Sequence, residues 1–239
     1  MNQKTYQVFS IVVPLDTNRL MLFKNTKRVY DSMPQKKEFI IPTRNLEKVS
    51  EYLLKHKLTK DVRLFPYKVE KGFNCSKALN IGVRKARYKH IIITSPEVKP
   101  TTDVLAQFSK SIDKNIICQV DDQDKEGNLN ILVNKSFRSE TPAMYFLALF
   151  QKKDIESING WDEDFMEGYA YEDNDFGDRW VRAGLPFEVR EDIKATHQYH
   201  PRAETISGGM SINNQKFTDN RDNGVIQPIN GLNKIINVL

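Results

Sequence analysis

The sequence predicts an α/β fold, a mainly parallel and twisted sheet flanked by helices with a smaller antiparallel part. Three observations lead there. The first hundred residues alternate apolar runs with amphipathic ones, as βαβ units do. The second half strings strand-like segments together through short polar turns. The chain has 239 residues, 39% of them hydrophobic and 28% charged, enough to bury one large core.

Strands are expected at "QVFSIVVPL", "KEFIIPT", "VRLFPYKV" and "HIIITS", with helical spacing between them in "NRLMLFKNTKRVYDSM", "NLEKVSEYLLKHK" and "SKALNIGVRKAR". In open sheets of this kind ligands bind beyond the carboxyl ends of the strands, which is where Pro14, Thr43 and Ser95 to Lys99 fall. Further on, "NIICQVDD", "LNILVNK" and "AMYFLALFQKK" read as strands. "DNDFGDRWVRAGLP" spaces Phe176, Trp180 and Val181 for one buried helix face, and Gly184 and Pro186 stop it. "FEVREDIKATHQYH" reads as a last strand. The Asn- and Gly-rich end is expected to wrap as loops and a short helix. These segments divide into a domain at 1–205, with halves at 1–112 and 113–205, and an extension at 206–239.

Charge and cysteine content narrow the function. A formal net charge of +5 favours an anionic partner, such as a phosphate-bearing cofactor or a polyanion. Cys75 and Cys118 are the only two cysteines, which argues against a disulfide framework or a zinc site. No run approaches the roughly eighteen apolar residues of a membrane span, and the first residues lack a secretory cleavage pattern, so a cytoplasmic location is expected.

Against that positive charge, the segment from Asp162 to Asp178 holds eight carboxylates in seventeen residues. Some negative charge suits a helix N-terminus, yet the lead "NGWDEDFMEGYAY" lies ahead of the helix. Elsewhere, "FNCSKALNIGVRKA" opens a helix with Asn74, Ser76 and Lys77, a combination that can bind phosphate and that an ordinary amphipathic helix also displays. Its Ala78, Asn80 and Gly82 keep one surface small where a ligand or a strand could approach. Glu97, between two prolines at a strand end, is a suitable oxygen ligand for Mg2+ or Mn2+. His197 and His200 in "THQYH" add imidazoles at another strand end.

Three stretches in order, "FNCSKALNIG", "IIITSPEVKP" and "INGWDEDFMEGYAYEDNDFGDRW", resemble the signature segments of GT-A glycosyltransferases. The nearest branch is the one whose catalytic region is shared by β-1,4-galactosyltransferases and polypeptide N-acetylgalactosaminyltransferases. "FSIVVPL" is similar to the opening strand of family 2 glycosyltransferases. The likeness runs from about residue 8 to about residue 200, and it implies a GT-A, Rossmann-like nucleotide-diphospho-sugar transferase fold.

The resemblance also implies roles. Glu97 stands where the second acid of an Asp-x-Asp motif ligates the metal, Ser95 where the first acid would be, with Pro96 between them. His197 matches the histidine completing the metal shell, with His200 as its substitute. Phe73, Asn74 and Lys77 fall on the nucleotide and its phosphates. Pro14, Leu15 and Asp16 edge the base, with Thr43 and Arg44 supplying base and ribose contacts. Gly160, Trp161, Asp162 and Tyr171 would face donor sugar and acceptor, Glu172 the sugar hydroxyls, and Asp173 would be the catalytic base. The implied activity is an inverting, metal-dependent transfer of a hexose from a UDP-sugar, with Mn2+ or Mg2+, to a hydroxyl of a polysaccharide, cell-wall polymer, protein or modified DNA base. Two other readings stay open. One is a nucleotidyl- or phosphoryl-transferring metalloenzyme, the other a catalytically silent nucleotide- or carbohydrate-binding module.

Overall fold

A computed structural model describes residues 7–69, 72–131, 144, 146–165, 170–201 and 209–233. Glu167 of the acid cluster lies outside them, as do residues 132–135 of "LNILVNK".

The parallel half forms as the alternation predicts. β1 (Val8–Val12), β2 (Lys36–Thr43), β3 (Val62–Pro66) and β4 (His90–Thr94) are joined by α1 (Leu20–Ser32), α2 (Leu46–Lys55) and α3 (Cys75–Lys85). β1 pairs in parallel with both β2 and β4, and β2 with β3. Asn45 and Asn74 cap α2 and α3, each side chain accepting from the N–H three residues on. Such a cap stabilises a helix by about 1 kcal/mol.

The second half folds back on this sheet. After β5 (Val98–Pro100) and α4 (Val104–Lys110) come β6 (Ile116–Gln123), β7 (Leu129–Ile131), β8 (Leu147–Gln151) and α5 (Lys152–Ser157). The chain then continues through α6 (Glu172–Arg182), β9 (Glu188–His197) and α7 (Gly209–Asp222). Among the described residues the strands make one sheet in the order β3-β2-β1-β4-β8-β6-β9-β5, with β7 beside β6. β8 runs antiparallel to β4 and β6, and β5 antiparallel to β9.

Strand alternation divides the core between the two faces. Phe9, Ile11, Phe39, Ile41 and Ile92 meet Phe23, Tyr30, Val49 and Leu53 of α1 and α2 on one side. Val12, Ile40, Ile91 and Ile93 meet Leu79, Val83, Trp161, Phe176 and Trp180 on the other. The small surface on α3 serves a strand: a Cβ at Gly82 would overlap the Val12 side chain of β1.

Two expectations are corrected. Val181 is exposed, and the face of α6 that carries Phe176 and Trp180 also buries Arg179, whose guanidinium is neutralised by Asp175. The C-terminal segment contains a fourteen-residue helix rather than a short one, and it packs on the acid region.

Candidate active site

The carboxyl ends of β1 to β4 gather the first set of residues. Beyond β1, Val13 and Leu15 donate N–H bonds to Ile40 and Pro42 of β2, which draws Pro14 and Leu15 inside. Asp16 then emerges and caps the one-turn 3-10 helix Thr17–Arg19. Its carboxylate pairs with Arg44, which also donates to the Gly72 carbonyl and lies 5.7 Å from the centre of the Phe73 ring. Asp16, Arg44 and Phe73 therefore form one cluster. Other residues expected at the nucleotide make contacts within the chain. The Thr43 hydroxyl accepts from the Asn45 N–H, and Lys77 Nζ donates to the Lys68 carbonyl. Asn74, only 2% exposed, caps α3 and donates to the Glu163 carbonyl. The side chains of Pro14, Leu15 and Asn74 are buried in this structure, so any contact they make with a nucleotide falls to their backbone.

Sheet register builds the second set. β5 pairs with β9 so that Val98 faces His197, which brings the preceding Glu97 to the end of β9. β6 pairs with β9 so that Asp122 faces His197 from the other side. Glu97 Oε1 consequently lies 3.8 Å from His197 Nε2 and 3.9 Å from His200 Nε2. One ligand atom from each of the three falls within 4.8 Å of the others. His197 Nδ1 is 2.9 Å from Asp122 Oδ1. With Asp122 accepting the Nδ1 proton, Nε2 directs its lone pair at the centre of the group.

The group has the chemistry of a divalent-cation site. Glu97 Oε2 and His200 Nε2 are buried without a hydrogen-bond partner, a costly state for groups that nothing coordinates. One carboxylate and two imidazoles suit Mn2+ better than Mg2+, which prefers an all-oxygen shell. Ser95 and Pro96 line the turn just before. Ser95 is 6% exposed with its Oγ unpartnered, while the Pro96 carbonyl accepts from Thr26.

Three contributors escaped the sequence reading. Asp122 could have been suspected from "VDD" ending a strand. Gln198, between the two histidines, donates to the carbonyls of Glu97 and Leu22 and to Thr26 Oγ1, and accepts from Asn25. It thereby ties the end of β9 to α1. Arg19 places its Nε 4.0 Å from Glu97 Oε2. Neither Gln198 nor Arg19 carries a local sequence signal.

The acid cluster splits in two. Asp162, Glu163, Asp164, Asp175 and Asp178 each meet a cation: Lys216 for Asp162 and Asp164, Arg84 for Glu163, Arg179 for Asp175 and Arg182 for Asp178. Asn220 of α7 also donates to both Asp162 and Asp175. Asp162 is 4% exposed and Trp161 fully buried, its ring stacked on Phe176 at 4.0 Å. Both side chains brace the loop in this structure. Gly160 has φ +65°, and a Cβ there would overlap Asn80 Oδ1, so the loop needs glycine at this point.

Glu172 and Asp173 open α6 behind two consecutive left-handed residues, Ala170 and Tyr171, with φ of 65° and 77°. Non-glycine residues held this way cost about 1–3 kcal/mol each, and such strain concentrates at functional sites. The turn is held from α7: Asn213 donates to the Ala170 carbonyl, and Phe217 packs on Tyr171 with ring centroids 5.7 Å apart. Tyr171 is 8% exposed and faces this aromatic cluster. The Cys75 thiol at the start of α3 is pushed well above its usual range by burial first, then by the charges of Glu172, Asp173 and Glu97.

Comparisons with known proteins agree with this architecture. A family described as the N-terminal domain of galactosyltransferase matches residues 146–204. Among solved structures, S. aureus TarS 1-349 in complex with UDP-GlcNAc superposes with a TM-score of 0.65 at 11% identity, over 84% of this chain and 61% of that one. The mannosyltransferase PcManGT from Pyrobaculum calidifontis, in complex with GDP-Man and Mn2+, gives 0.61 at 16% identity, over 83% and 59%. The chain thus spans about three fifths of the length of these structures. No curated protein matches it. Among the described residues no helix is long and apolar enough to cross a membrane.

Proposed function

We propose, from the premise that the chain has the GT-A glycosyltransferase fold, that it transfers a hexose from a nucleotide-sugar to an acceptor hydroxyl with inversion, and that a divalent cation assists. The observation that carries this reading is the meeting of Glu97, His197 and His200 at the carboxyl edge of the sheet, with Asp122 behind His197. These three residues would hold Mn2+. When bound, the cation supplies Lewis-acid stabilisation of the charge that grows on the departing diphosphate.

The chain's own groups do the rest. Asp16, Arg44 and Phe73 offer an aromatic face and hydrogen-bonding groups for the nucleoside, next to the loop that leads to the cation site. Asp173 accepts the proton of the acceptor hydroxyl as its oxygen attacks the anomeric carbon. Glu172 orients the sugar hydroxyls. One displacement on the face opposite the leaving group inverts the anomeric centre. The donor is taken to be a UDP-hexose, in line with the UDP-GlcNAc complex of the TarS relative, and a GDP-hexose is the competing donor because PcManGT is described with GDP-Man.

The test is release of UDP or GDP from a panel of nucleotide-sugars with Mn2+, for the natural chain and for Asp173→Asn. Slow donor hydrolysis that disappears in the variant supports transfer. Donor binding with no turnover in either protein would leave a binding module instead.

A further inference from the structure

Glu97 divides its two oxygens between opposite charges. Oε1 faces the imidazoles, at 3.8 and 3.9 Å, while Oε2 faces the Arg19 guanidinium at 4.0 Å. That separation is too long for a hydrogen bond, and Oε2 is buried without one. Among the described residues the Arg19 side chain has no other ion pair or hydrogen bond, and it is 19% exposed. A cation held this near a ligand carboxylate but bonded to nothing is poised for another anion.

Its position in the chain says which anion. Arg19 ends the 3-10 helix that Asp16 caps, so a single loop carries Asp16 of the nucleoside cluster and reaches Glu97 of the cation site. A nucleoside diphosphate bridging those two points would lay its phosphates along this loop. The planar guanidinium suits paired phosphate oxygens. The local charge balance points the same way. Where a second acid is expected beside Glu97 the chain has the neutral Ser95, and Arg19 offsets part of the remaining negative charge.

We propose that Arg19 binds the diphosphate of the donor and competes with the divalent cation for Glu97. Without nucleotide, Arg19 rests on Glu97 and weakens the hold on a lone cation. When cation and diphosphate arrive together, the cation takes Glu97 and Arg19 turns to the phosphate oxygens. This rests on the glycosyltransferase reading above and adds an order of loading, in which the metal enters with the nucleotide.

The test is calorimetric titration of three probes, MnCl2 alone and UDP or GDP at saturating Mn2+, into the natural chain, Arg19→Ala and Arg19→Lys, with circular dichroism to establish folding. The expected result is a change of opposite sign. Arg19→Ala binds Mn2+ alone several-fold tighter and UDP with Mn2+ about tenfold or more weaker, as for other charged phosphate contacts, and Arg19→Lys lies between. Unchanged UDP affinity in a folded Arg19→Ala protein, or weakening of Mn2+ alone, would overturn the assignment. A natural chain that takes up neither UDP nor GDP overturns the functional reading itself, whereas one that binds UDP while Arg19→Ala binds it equally well sinks only the role of Arg19.

Discussion

The acids of 162–178 and the lone acid Glu97 meet opposite fates. In the first region Asp162, Glu163, Asp164, Asp175 and Asp178 are each neutralised by lysine or arginine, much of it from α6 and α7, and the carboxylates brace a loop. In the second, one carboxylate faces two imidazoles and keeps a buried oxygen without a hydrogen bond. Abundance of carboxylates marks scaffolding here, and an unsatisfied ligand set marks chemistry. Glu172 and Asp173 sit at the boundary: they belong to the first region by sequence, and their charges join that of Glu97 in raising the pKa of the buried Cys75 thiol.

Asp173→Asn is the sharpest way to break this division. It should lower turnover by about 10²–10⁴-fold, the scale of a lost general base, with thermal stability nearly unchanged. The reverse pattern is expected two residues on. Asp175→Ala strands the fully buried Arg179 and should cost about 3–5 kcal/mol, seen as a melting temperature lower by about 10 °C. If Asp175→Ala melts normally but loses all turnover, the scaffolding assignment is wrong.

A smaller effect separates ligand from support. Asp122→Asn should weaken Mn2+ binding by about 10–100-fold, because it orients His197 without touching the ion. Equal Mn2+ affinity in the variant would remove Asp122 from the site. The smallest effect is at Asp178. Burial raises its pKa, Arg182 opposes this, and the charge of Asp175 adds to it. A carboxyl with a raised folded pKa disfavours the folded state above that pKa, and the penalty vanishes once pH falls below the unfolded value. Asp178→Asn should therefore raise the melting temperature by about 1–3 °C at pH 7, with the gain fading toward pH 4. Arg182 stays satisfied by the carbonyls of Asn220, Arg221 and Val225. A gain that grows on acidification would contradict this sign.

Much of the fold was legible because its signals are local. The strands and helices of the parallel half have the expected apolar periods, and the α6 stop at Gly184 follows from chain chemistry. β5 and α5, three and six residues long, are too short to show a period. The length of α7 is not legible because Asn and Gly are poor helix formers, whereas Phe217, Asn213 and Lys216 hold it through tertiary contacts. Spacing puts Val181 on the face of Phe176 and Trp180, yet the residue buried beside them is Arg179, paired with Asp175. For the site, Glu97, His197 and His200 were readable as residue types at strand ends. Their convergence, and the parts taken by Asp122, Gln198 and Arg19, depend on the β5–β9 and β6–β9 registers, which pair residues about 75–100 positions apart in the chain.

The most direct measurement is Mn2+ binding in the presence of UDP, followed by the loss of the free-ion electron paramagnetic resonance signal, for the natural chain, Glu97→Gln and Asp162→Asn. The expected result is one ion per chain, affinity lower by about 100-fold or more in Glu97→Gln, and affinity close to natural in Asp162→Asn. Equal binding by Glu97→Gln, with loss in Asp162→Asn, would place the ion in the acid cluster instead of at Glu97, His197 and His200.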